Sequence, residues 1–105
     1  ALMVGCDGMV CGMGALGSKF MVQIARAVEA GNADEAKRLQ NRFIKLFHGV
    51  YGRDLSTVWC GQKYALQQLG LIETAFTLAQ DMEPLTKKRK QEIDDCLQEF
   101  KVELD

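Results

Sequence analysis

The sequence predicts a mostly α-helical chain, one short strand followed by four helices, on three observations. Its 105 residues contain a single proline against ten glycines, a composition that leaves few breaks in long helices. Half of those glycines (Gly5, Gly8, Gly12, Gly14 and Gly17) fall in the first seventeen residues, which also lack any Lys or Arg. From Ser18 onward the apolar residues recur at helical period, with charged residues between them. The chain thus divides into a glycine-rich apolar head and a charged, helix-forming body of a size suited to one domain.

Each element has its own local signal. The apolar run at residues 8–11 is short and bounded by glycines, as in a buried strand. Phe20, Ile24, Ala27 and Val28 form one stripe of a first helix that begins at Ser18 and stops at Gly31, where a left-handed residue is needed. Asn32, with Glu35 three residues on, reads as a capping box opening a second helix. Its inward face is Ala36, Leu39, Phe43, Leu46, Phe47 and Val50, and Gly49-Val50-Tyr51-Gly52 breaks it. Asp54 or Ser56 can cap a third helix with Leu55, Val58, Trp59, Leu66 and Leu69 inward and Gly70 as its stop. Residues 71–85 form a connector with the only proline, Pro84. Thr86 caps a last helix whose apolar face is Ile93, Cys96, Leu97, Phe100 and Leu104.

Composition also removes several function classes. Thirteen basic and fourteen acidic residues give a net charge of −1, which argues against a basic nucleic-acid module and an acidic disordered tail. The first basic residue is Lys19, so the head lacks the positive flank of a signal peptide. Five glycines and Asp7 make it a poor spanning helix, and no membrane partner is expected. Cys6, Cys11, Cys60 and Cys96 are spread without a close framework, which favours a reduced, cytoplasmic setting; Cys6, Cys60 and Cys96 read as small core residues. With His48 alone and no close ligand pair, no metal or other cofactor is expected. His48 suits a helix-end or surface role. Trp59 and Tyr64 suit packing or subunit contacts. Lys87-Lys88-Arg89-Lys90 is followed by Glu92, Asp94 and Asp95, so it reads as a solvated, self-compensated face, with Lys88–Glu92 and Lys90–Asp94 spaced to pair.

Gly12-Met13-Gly14-Ala15-Leu16-Gly17 matches the G-x-G-x-x-G fingerprint of dinucleotide-binding turns, between an expected strand and a helix. A Rossmann unit also needs a second strand after the helix, ending in an acid about 20 residues beyond the glycines. Here Gly31-Asn32 leads straight into another amphipathic helix. The nucleotide reading fails that test.

A family resemblance uses the same residues better. Gly5-Cys6-Asp7-Gly8-Met9-Val10 resembles the strand signature of the dihydrodipicolinate synthase / N-acetylneuraminate lyase family. Residues 29–40 resemble that family's joint between two helices, and Gln62-Lys63-Tyr64-Ala65-Leu66-Gln67-Gln68-Leu69-Gly70-Leu71 a helix end within it. Glu83-Pro84-Leu85-Thr86 resembles the approach to its last helix. The pieces occur in the family's order and cover almost the whole chain.

The resemblance implies the C-terminal third of a (β/α)8 TIM barrel with its three-helix C-terminal extension. Residues 1–31 would then hold the end of helix seven, the last strand, a glycine-rich rim loop and the eighth helix; residues 32–105 would be the extension. It further implies a pyruvate-type class I aldolase or lyase that forms a Schiff base with pyruvate or another 2-oxo acid and acts with an aldehyde. The expected partners are the remainder of its own barrel and further copies in a homo-oligomer, a homotetramer in particular. The Schiff-base lysine and the proton-relaying tyrosine would both lie upstream of Ala1. Accordingly no catalytic residue is placed among Lys19, Lys37, Lys45, Lys63, Lys87, Lys88, Lys90 and Lys101, all on expected helices or their starts. The implied substrate-binding residues are Val10, Cys11, Gly12 and Met13, at the C-terminal end of the strand where such barrels build their sites. Ala15 stands where the family usually carries Asn, which implies a more apolar or differently shaped aldehyde. The contrasting reading from the residues alone is a small, non-catalytic helical interaction domain with the head as an arm.

Overall fold

The computed structural model describes residues 1–78 and 84–104. A single 3-10 turn at Leu2–Val4 is followed by helices α1 (Gly14–Glu29), α2 (Ala33–Tyr51), α3 (Val58–Gln68), α4 (Lys87–Glu99) and the short α5 (Lys101–Leu104). The chain divides into two compact units, Ala1–Ile44 and Lys45–Asp105. The mostly α-helical expectation holds, and the expected strand at 8–11 does not form. These residues are neither helix nor strand. A strand exists only through hydrogen bonds to a neighbour, and no described segment offers one.

In the first unit, α1 begins four residues before the expected Ser18, and the backbone departs from helical geometry at Gly17 (φ −109°, ψ 32°). Gly14 and Gly17 therefore belong to the helix, and Gly17 is buried. Leu16, Phe20, Ile24 and Ala27 form its buried stripe, and the Phe20 and Phe43 rings meet at 5.9 Å between centroids. The inward stripe of this helix is thus covered within the unit. The helix closes through Gly31 at φ +72°, as its position required. The Glu35 backbone N–H donates to Asn32 Oδ1 at 3.1 Å, the expected cap of α2. Arg38 donates two hydrogen bonds to the Glu35 carboxylate at 2.8 Å, and that bonding holds Glu35 below the usual carboxylate range.

The second unit is organised around the joint between α2 and α3. Leu46, Val50, Ala65, Ile93 and Phe100 are fully buried. α2 ends at Gly52, φ +84°. The N-cap of α3 is Thr57, not the expected Asp54 or Ser56, and its hydroxyl donates to the Val50 carbonyl at 3.1 Å. Leu55 and Trp59, expected inward, are exposed (45% and 57%), and Leu55 takes φ +60°. The inward face of α3 is Cys60, Gly61, Gln62 and Ala65. Two small residues and a glycine allow close approach: a Cβ at Gly61 would collide with the Val50 carbonyl oxygen. The large apolar residues that periodicity favours would not fit there. Gly70 at φ +74° ends the helix as expected. The Arg89 backbone N–H donates to Thr86 Oγ1 at 3.1 Å, so Thr86 caps α4. The last helix is interrupted at Phe100 instead of running through to Leu104. Part of the 71–85 connector, including Glu83 of the Glu83-Pro84-Leu85-Thr86 stretch, lies outside the described residues.

Candidate functional site

The segment singled out by sequence, Val10 to Met13, leads into the first turn of α1. The Gly14 backbone N–H donates to the Cys11 carbonyl at 3.0 Å, and the Leu16 and Gly17 N–H groups reach the Met13 carbonyl at 3.1 and 2.7 Å. The four residues are not brought to one surface. Val10 is wholly exposed and Met13 is 1% exposed, a core residue of the first unit. Cys11 is exposed and lines a cavity of about 510 Å³ together with Cys6, Asp7, Gly8, Met9 and the outer face of α1 at Met21, Val22, Ala25 and Val28. Cys6, expected in the core, is a surface thiol; Cys60 is buried and Cys96 half-buried. All eight lysines lie on helices and are exposed. None sits at the buried strand end that imine chemistry uses.

A second concavity, about 960 Å³, lies within the second unit. Its walls carry Lys45, His48, Arg53, Arg89 and the acids Asp54, Glu92, Asp95 and Glu99, so neither sign prevails. Lys45 Nζ pairs with Glu99 Oε1 at 2.6 Å. Arg89, expected on a solvated face, instead reaches inward. Its Nη2 donates to the Gly49 and Val50 carbonyls at 3.1 and 3.3 Å and to Thr57 Oγ1 at 3.2 Å, while Nη1 pairs with Glu92. Those carbonyls belong to the last turn of α2, which has no further N–H groups to satisfy them. A guanidinium serves several acceptors at once where an ammonium serves them singly, which distinguishes Arg89 from its lysine neighbours. The Ser56 hydroxyl and backbone N–H, with the Arg89 charge adding to them, hold the Asp54 carboxyl below its usual range. That inward Arg was the feature sequence reasoning missed. Its sequence signal was slight: one arginine among three lysines, in the first turn of a capped helix.

Tyr64 lies half-buried, its hydroxyl donating to both oxygens of Asp94 at 3.0 Å, with Lys90 Nζ 5.8 Å from the ring centroid. Burial, and then the Asp94 carboxylate, push its hydroxyl pKa above the ordinary value of 10.0. Among the described residues no group of three or more His, Cys, Asp or Glu side chains could hold a metal ion, and no helix is long and apolar enough to cross a membrane.

The head, the helix joint at Gly31-Asn32 and the capped last helix all fall within one family match. The profile of the dihydrodipicolinate synthetase family covers residues 1–100. The chain belongs to that family. No curated protein and no solved structure gives a significant match to it. Family membership and the helical content agree with the C-terminal portion of a TIM barrel. It also brings the chain into a family of aldolases and lyases.

Proposed function

We propose that the chain is the C-terminal part of a Schiff-base-forming aldolase or lyase that joins or cleaves pyruvate, or another 2-oxo acid, and an aldehyde. The observation that carries this reading is the family match over residues 1–100. Residues 8–11 have the composition of a strand but form no ladder within this chain, and Val10 is wholly exposed. In the barrel this segment is strand eight, paired on both sides by strands that lie elsewhere. Residues 1–31 then supply that strand, the rim loop and helix eight, and residues 32–105 the helical extension.

The division of labour follows from the chemistry. Imine formation needs a neutral lysine amine at a desolvated strand end, and the lysines here are exposed on helices. The nucleophile belongs, as the family resemblance implies, to an earlier strand. Strand eight contributes a wall: the Val10 carbonyl near the reactive lysine, and Cys11 and Gly12 near the carboxylate or the aldehyde tail, while Met13 is held in the core. Cys11, Gly12 and Ala15 offer little hydrogen bonding from their side chains, so the aldehyde that fits is less polar at that end. The enzyme is a cytoplasmic homo-oligomer, a tetramer in this reading.

Borohydride reduction in the presence of pyruvate tests it on the full-length protein. The expected result is an irreversible adduct on a lysine outside residues 1–105, with loss of activity. An adduct on one of the eight exposed lysines, or none, would sink the assignment.

A further inference from the structure

We propose that Met13 is a positioning residue for the wall that strand eight supplies: its buried side chain anchors the rim and fixes where Val10, Cys11 and Gly12 stand. The proposal rests on the aldolase reading above, and it gives Met13 a role in the reaction without contact with substrate.

Met13 is 1% exposed and is among the largest fully buried side chains of the chain. It precedes α1, yet it opens the inward stripe of that helix. Met13, Leu16, Phe20, Ile24 and Ala27 are all buried and follow one another at three or four residues. Burial reached within these residues is kept when further chain packs on them. The anchor therefore does not depend on what covers Val10 and Cys11 in the barrel.

The main chain carries the anchor to the wall. The Leu16 and Gly17 N–H groups donate to the Met13 carbonyl at 3.1 and 2.7 Å, and the Gly14 N–H donates to the Cys11 carbonyl at 3.0 Å. Cys11 and Met13 are thus both tied to the first turn of α1, with Gly12 between them. At Gly17 the backbone leaves helical geometry, so this turn is set off from the rest of the helix. Continuity with α1 does not fix its place; the buried Met13 and Leu16 side chains do. Truncating Met13 removes the atoms that fill the gap and lets the turn shift. Reaction geometry tolerates little of that, since a displacement of about 1 Å can cost on the order of a hundredfold in rate.

The test uses the full-length protein with pyruvate as the probe. The rate of imine formation at saturating pyruvate is read by quenching with borohydride, below the thermal midpoint of each variant. Met13→Ala should lower that maximal rate by about tenfold to a hundredfold, and Met13→Leu, which keeps the volume, should restore it. Ile24→Ala, further along the same stripe, should lower the thermal midpoint and leave the maximal rate unchanged. Hydrogen exchange without substrate gives a second readout: in Met13→Ala the Gly14, Leu16 and Gly17 amides should lose protection while those of α4 keep theirs. Where Met13→Ala does not fold, Met13→Val is read in the same way. An unchanged maximal rate, an equal loss in Ile24→Ala, or unchanged exchange at Gly14 to Gly17 would overturn the proposal. Absence of trapping in the unaltered protein overturns the aldolase reading alone, because the exchange is read without pyruvate.

Discussion

Arg89 ties the last turn of α2 to the start of α4 through hydrogen bonds to two carbonyls and one hydroxyl. Hydrogen bonds to a charged group are worth about 1.5–3 kcal/mol each way they are measured, and bonds from one side chain do not add. Its Nε is buried without a partner, which offsets part of the gain. Arg89→Ala should lower stability by about 2 kcal/mol in urea denaturation, and Arg89→Lys should recover only part, since an ammonium lacks the fork. Tyr64 gives a pH dependence of definite sign. Its folded pKa is raised above 10.0, so its contribution is fully present below that value and is lost as pH rises through the folded pKa. Stability should therefore fall in alkali above pH 10.0, and Asp94→Asn should move the tyrosinate absorbance transition of Tyr64 to lower pH. An unchanged transition would remove Asp94 as a cause.

Helix limits follow local rules wherever a cap or a left-handed glycine decides them. Asn32 and Thr86 cap as their spacing predicts, and Gly31 and Gly70 take positive φ. Asn32→Ala should cost about 1 kcal/mol, read as a shift of the thermal midpoint, with Asn32→Ser close to neutral. The face of α3 was not legible, because periodicity ranks residues by hydrophobicity and not by the space available. Leu55 and Trp59 lose the inward positions to Cys60, Gly61 and Ala65 where α3 approaches the Val50 carbonyl. Gly61→Ala forces overpacking at that carbonyl and should destabilise by about 1–3 kcal/mol, an effect far larger than for an exposed helical glycine, where alanine stabilises. A stabilised Gly61→Ala chain would contradict the close approach.

At the scale of the molecule, the segment 8–11 separates the chain's own fold from the barrel it is proposed to complete. Val10→Asp should change the stability of the 105-residue chain by less than about 0.5 kcal/mol, since Val10 is wholly exposed there. In the full-length barrel the same change buries a carboxylate beside strand eight and should cost several kcal/mol or prevent folding. Equal, small effects in both urea titrations would remove residues 8–11 from strand eight. The order of the helices and most of their caps were legible in the residues, because those depend on neighbours within a turn or two, and the family was legible in motifs kept in order along the chain. That Arg89 turns inward, that Leu55 and Trp59 turn outward, and that Met13 leaves Val10 and Cys11 for the core became visible only in the fold. Each depends on which backbone atoms come close across the fold, and no spacing along the chain encodes that distance. The strand shows the same limit most plainly: its composition is local, but its hydrogen bonds belong to a partner.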